Sequence, residues 1–195
     1  VVGFIVATAL VYFSMAFAYR HRTSSSRGEA SAALRGYQDA LEPMRRLAFW
    51  GVALFFGFTN GARLATEWQT LLQFLNRSSF GQVDPQFGLD ISFFVFVLPA
   101  VKVLVSFLMT VTGIGLVAAI IVSYLYGTIR LTPRPHASKQ ARLQTGMMAA
   151  CLSLFIGVNY WLGRYELLTS DSGSIHGAMY SDINATLPAH SILAV

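Results

Sequence analysis

Residues 91–129 read ISFFVFVLPAVKVLVSFLMTVTGIGLVAAIIVSYLYGTI, and Lys102 is the single charged side chain in that run. As one helix it would be about 58 Å long, roughly twice the hydrocarbon thickness of a bilayer. Pro99 offers a break, because the residue before a proline is pushed out of the helical region. The run therefore divides into an interfacial or re-entrant piece, residues 91–98, and a membrane-spanning helix, residues 99–126. Gly113 and Gly115, with Ser106, Thr110 and Thr112, give that helix a small-residue face suited to close helix packing.

Working outward, residues 1–19 carry no charge and make a helix about 28 Å long, enough to span. Residues 47–65 form a second span. Its uncharged part, residues 47–62, reaches only about 24 Å, so Arg63 has to snorkel to the interface. Residues 143–162, between Arg142 and Arg164, make a fourth. Pro188 or Ala189 opens a fifth, residues 189–195, which the chain does not finish. Both ends lie inside apolar runs, so the chain reads as a segment of a longer protein. The expected fold is all-α: a polytopic helical membrane protein with four spanning helices, the start of a fifth, and one interfacial helix in an outer loop.

Composition agrees. Of the 195 residues 54% are hydrophobic and 12% are charged, against about 25% charged in soluble domains. So few charges cannot coat a globular surface, which excludes a soluble enzyme. The net charge of +5 sits in loops, so sorting by the membrane explains it better than a nucleic-acid partner. The one cysteine, Cys151, excludes an internal disulfide. Inside an apolar block it reads as a small buried hydrophobe.

The loops fix an orientation. Connection 20–46 has six arginines, Arg20, Arg22, Arg27, Arg35, Arg45 and Arg46. The next has Arg63 and Arg77, the third Arg130, Arg134, Lys139 and Arg142, and the fourth Arg164 alone. This alternation places loops 20–46 and 130–142 in the cytoplasm, loops 66–98 and 163–188 outside, and residue 1 on the extracytoplasmic side of the cell membrane. Arg20, Arg22, Arg45, Arg46, Arg130 and Arg134 are then placed to meet anionic lipid headgroups. Ala30, Leu34, Tyr37, Leu41 and Met44 fall at helical spacing and predict a short amphipathic helix stopped near Pro43.

The first outer loop holds most of the candidate contacts. Thr66 and Gln69 have capping-box spacing. Trp68, Leu71, Leu72 and Leu75 line one apolar face of an interfacial helix, with the tryptophan at headgroup depth. Phe93, Phe94 and Phe96 complete an aromatic surface for a membrane partner or a larger assembly. Asp84 and Asp90 are two carboxylates that a divalent cation would accept. The simpler assignment has Asp84 opening a turn and Asp90 capping the next helix. Asp171, His176 and Asp182 in the other outer loop are a weaker metal set, since their spacing fits no metal motif. No cofactor is expected.

Four stretches carry a resemblance: residues 67–76 (EWQTLLQFLN), 80–99 (FGQVDPQFGLDISFFVFVLP), 160–168 (YWLGRYELL) and 177–185 (GAMYSDINA). Together they resemble the uncharacterised protein family 0182, large bacterial membrane proteins common in actinobacteria. The resemblance implies an internal piece of a helical membrane half that precedes a large polar domain. It brings no catalytic residues with it. No block has an ionisable residue at its centre, where transport paths usually place one. The expected function is a structural or accessory membrane subunit that anchors a large extracytoplasmic domain. The alternative is a transporter or channel for a lipid, ion or envelope precursor, with Ser106, Thr110 and Asn159 lining a cavity. Nothing in the segment supplies a nucleophile and base, so the reading leans away from an enzyme.

Overall fold

The computed structural model describes residues 1–21, 42–130 and 136–166, together with Gly36, Asp39, Ala189 and Ile192. Its helices are α1 (Val2–Arg20), α2 (Arg45–Thr66), α3 (Trp68–Leu75), α4 (Leu98–Leu125) and α5 (Lys139–Glu166). A π-helical turn, Phe93–Val97, leads directly into α4. A two-residue antiparallel ladder pairs β1 (Ile129–Arg130) with β2 (His136–Ala137) in the connection from α4 to α5. The fold is helical, as composition and periodicity predict.

Among the described residues three helices have the length and apolarity to cross a membrane: Val2–Arg20, Phe93–Leu125 and Lys139–Glu166. At 22 residues α2 is long enough, but Arg45, Arg46, Asn60 and Arg63 dilute it. By composition the expected second span, residues 47–65, therefore does not qualify.

The expected break at Pro99 is absent. The helix runs without interruption from Phe93 to Leu125, 33 residues. The reason is local. The amide of Leu98 donates to the carbonyl of Phe93, five residues back, so the backbone has already widened by one residue before the proline. Pro99 then falls in the first turn of α4, where a missing N–H costs little. The expected capping box at Thr66 is also absent: α3 starts from Glu67 without a side-chain cap. Instead Thr70 Oγ1 donates to Glu67 Oε2 at 3.3 Å. Of the amphipathic helix expected around Ala30, Leu34, Tyr37, Leu41 and Met44, Met44 alone lies within the described residues, and it is exposed.

The chain divides into two compact units. The first combines Val1–Ala65 with Thr110–Leu152. Within it α1 and α2 lie antiparallel: Gly3 faces Leu64, Phe4 faces Gly61, and Thr8 faces Gly57. Tyr12 stacks on Trp50 with centroids 4.5 Å apart. The approach is close because glycines line it. A Cβ added at Gly61 would stand 2.9 Å from the Cα of Phe4. Large apolar side chains of α2, among them Leu47, Phe55 and Phe58, point outward, while Ala53, Gly57 and Asn60 are buried. Small and polar residues inside with large apolar ones outside is the arrangement of helices packed in lipid. Gly115 of α4 sits against Met148 and Ser14, and Gly113 touches Leu152. The buried Gln144 donates to the Ser14 carbonyl at 2.7 Å.

The second unit combines Thr66–Met109 with Ser153–Val195. Its core is Phe94, Leu98, Val105, Leu162 and Tyr165, with Phe87, Leu89, Phe93, Val101, Phe155 and Val158 packed around them. Cys151 is exposed on α5, contrary to the expectation of burial. A residue on the outer face of a membrane helix is apolar without being covered by protein.

Candidate functional site

The second unit gathers most of the singled-out residues, and its loop 76–92 is built around two carboxylates. Asp84 Oδ2 accepts from the amides of Gln86 and Phe87 at 2.9 and 2.8 Å. Its own amide donates to the Leu89 carbonyl, and Gly88, at φ +66°, closes the turn by donating to the Asp84 carbonyl. Asp90 accepts from the Ser79 hydroxyl, and from the amides of Phe80, Gly81 and Ser92. Ser79, first in effect, and the Ser92 amide after it hold the Asp90 carboxyl far below its ordinary value. Asp90 thus spends both its oxygens, and Asp84 its Oδ2, on N–H and O–H donors of their own loop. That is turn and cap chemistry, and it opposes the cation reading, which needs those oxygens free. Among the described residues no three His, Cys, Asp or Glu side chains are grouped to hold a metal ion. Asp171, His176 and Asp182 lie outside the described residues.

The aromatic residues separate into two sets. Trp68, Leu72 and Leu75 of α3 are 57%, 50% and 75% exposed, with Leu71 at 37%, and nothing in α3 is buried. Phe94, by contrast, is 7% exposed. It packs in the core beside Phe93, whose ring meets Tyr165 edge-on at 5.5 Å. Phe96 lies half-buried 5.6 Å from Phe80. The expected continuous partner surface is therefore corrected. The α3 residues face outward, whereas Phe94 holds the unit together, because the helical turn through Phe93–Val97 aims it inward.

Charged groups at this end of the unit were legible only in part. Lys102 forms an ion pair with Glu166. Arg164, in the last turn of α5, lies over Trp161 at 4.6 Å and over Tyr165 at 4.8 Å. Its Nη2 donates to Tyr165 Oη at 2.8 Å. The Trp161–Arg164 spacing of three residues signals this contact in sequence; the Lys102–Glu166 pair has no such local signal.

In the first unit the basic residues expected to meet lipid divide likewise. Arg20 and Arg46 are exposed. Arg45 is instead engaged by Glu42 at 3.2 Å and by the Tyr19 ring, 3.9 Å beneath its guanidinium. Tyr19 and Tyr126 both donate to Glu42, at 2.9 and 3.4 Å. Arg22, Arg134 and the side chain of Arg130 lie outside the described residues.

One family model covers the chain from residue 1 to residue 195. The chain belongs to the uncharacterised protein family UPF0182. Among its curated relatives, a UPF0182 protein of Kocuria rhizophila is 41% identical over 201 residues, covering 100% of this chain. Those of Paenarthrobacter aurescens and of Arthrobacter sp. (strain FB24) are 39% and 38% identical, over 100% and 99% of it. The chain spans about a fifth of the length of these UPF0182 proteins, 19–20%. No solved structure matches it.

Proposed function

We propose that this UPF0182 segment is a structural or accessory module of the cell membrane, anchoring a large extracytoplasmic domain and packing against a membrane partner. The observation that carries this reading is the commitment of two amide side chains within its helices to internal partners. Gln144 goes to the Ser14 carbonyl, and Asn60 to the Phe56 carbonyl. A transport path leaves such groups for its substrate; a scaffold closes them on itself.

The proposed topology has four spans, with residue 1 outside. Support for α2 as a span comes from its antiparallel contact with α1. Contacts run from Gly3–Leu64 at one end to Tyr19–Arg45 at the other, so α2 shares the depth of α1 over its whole length. The exposed face of α3 is the proposed contact for the partner or the interface.

Mild detergent extraction of the native full-length protein, followed by intact-particle mass measurement, tests the reading. A stoichiometric complex with another membrane protein is expected. A lone monomer or a homo-oligomer would overturn it and favour the transporter.

A further inference from the structure

We propose that Arg164 is the anchor of a phosphate site that takes the headgroup phosphate of a phospholipid. Four observations on the same residue carry this. Arg164 is half-buried, and its guanidinium lies over the Trp161 and Tyr165 rings, which themselves meet edge to face. Its Nε is buried without a hydrogen-bond acceptor. Among the described residues it has no carboxylate partner, and the nearest acid in sequence, Glu166, pairs with Lys102. Finally, Arg164 is the one base in a connection whose acids are Glu166, Asp171 and Asp182.

A guanidinium with an unsatisfied buried donor costs free energy until an acceptor reaches it. The two rings lower that cost by cation–π attraction, but they accept no strong hydrogen bond. The Tyr165 hydroxyl uses one N–H. The remaining need is for an anionic oxygen pair, and a planar fork matches phosphate. The location selects the source. Arg164 lies in the last turn of a helix of membrane-span length, flanked by Trp161 and Tyr165. Tryptophan and tyrosine mark headgroup depth in such helices. The Lys102–Glu166 pair, at the same helix end, sets that end at the bilayer surface, because ionised pairs avoid the hydrocarbon. A lipid phosphate lies at this depth. The inference goes beyond the accessory reading, since it holds whether or not a protein partner exists.

The test uses the full-length protein in detergent, with lipid retention read by native mass spectrometry. Phosphatidylglycerol is the probe, and a galactosyl diacylglycerol with the same tails is the control without phosphate. Phosphatidylglycerol is expected to bind in preference, with Arg164→Ala losing about tenfold in retention. Arg164→Lys, which keeps charge but not the fork, loses part of it. Arg77→Ala, an exposed arginine of the other loop, changes nothing. Equal losses in Arg77→Ala and Arg164→Ala would mean general surface charge and overturn the site. Equal retention of both lipids by wild type would also overturn it, and needs no variant to fold. Competition by inorganic phosphate at concentrations that leave the galactolipid bound supports the phosphate chemistry. Binding of inorganic phosphate without any phospholipid would reject the lipid.

Discussion

A single methyl group tests the packing of the first unit. Gly61→Ala would bring its Cβ to 2.9 Å from the Phe4 backbone. Backbone cannot swing aside as a side chain does, so α1 and α2 must separate. The expected loss is about 1–3 kcal/mol, read as a lower thermal midpoint, whereas Gly51→Ala, with open space around its added Cβ, should leave the midpoint unchanged. Trp68 and Phe94 have opposite expectations. Phe94→Ala empties a core position and should cost about 3–5 kcal/mol. Trp68→Ala removes an exposed ring and should weaken partner or interface contact with little change in stability; a large stability loss would contradict its placement. Asp90 adds a pH dependence. Its folded pKa is depressed by the Ser79 hydroxyl and the Ser92 amide. The carboxylate's contribution is therefore complete above the ordinary value of 3.8, and it is lost as pH falls through the lower folded value. Amide exchange at Gly81 and Ser92 should stay protected at pH 5, and Asp90→Asn should speed it at pH 7.

At the scale of elements, α2 is the informative helix. Its residues fail as a span by composition, yet its contacts with α1 run end to end. Bilayer crossing follows if α1 crosses. In a Cys151→Ser background, Arg46→Cys and Ala65→Cys should be labelled by an impermeant thiol reagent from opposite sides. Labelling from one side would return the count to three spans. The π turn before α4 explains why Pro99 does not break the helix. A proline forbids one hydrogen bond, and a single widened turn before it makes that bond unnecessary. Aromatic residues on that turn reach the core because the helix continues; a break would have left Phe93–Val97 on the surface.

For the whole molecule, orientation remains a proposal from the alternation of basic residues. An impermeant label at Arg77→Cys, in the same Cys151→Ser background, should react on intact cells, and one at Lys139→Cys only after permeabilisation. The reverse pattern would invert the topology. Since the chain spans about a fifth of its relatives' length, activity and partners belong to experiments on the complete protein.

The sequence by itself determined the helical class, the presence of long apolar helices, and the family. Those properties depend on local composition and on spacing along one chain. It also held the turn at Asp84 and the cap of Asp90 on the Ser92 amide, since both act within a few residues; the bonds of Asp90 to Ser79, Phe80 and Gly81 span nine to eleven residues and were not legible. Tertiary structure alone decided which apolar residues face inward, as with Phe94 against Trp68. It alone joined Lys102 to Glu166 and set Gly57 and Gly61 against α1. Each of these pairs residues far apart in sequence, and in a membrane segment hydrophobicity cannot distinguish the face that meets lipid from the face that meets another helix.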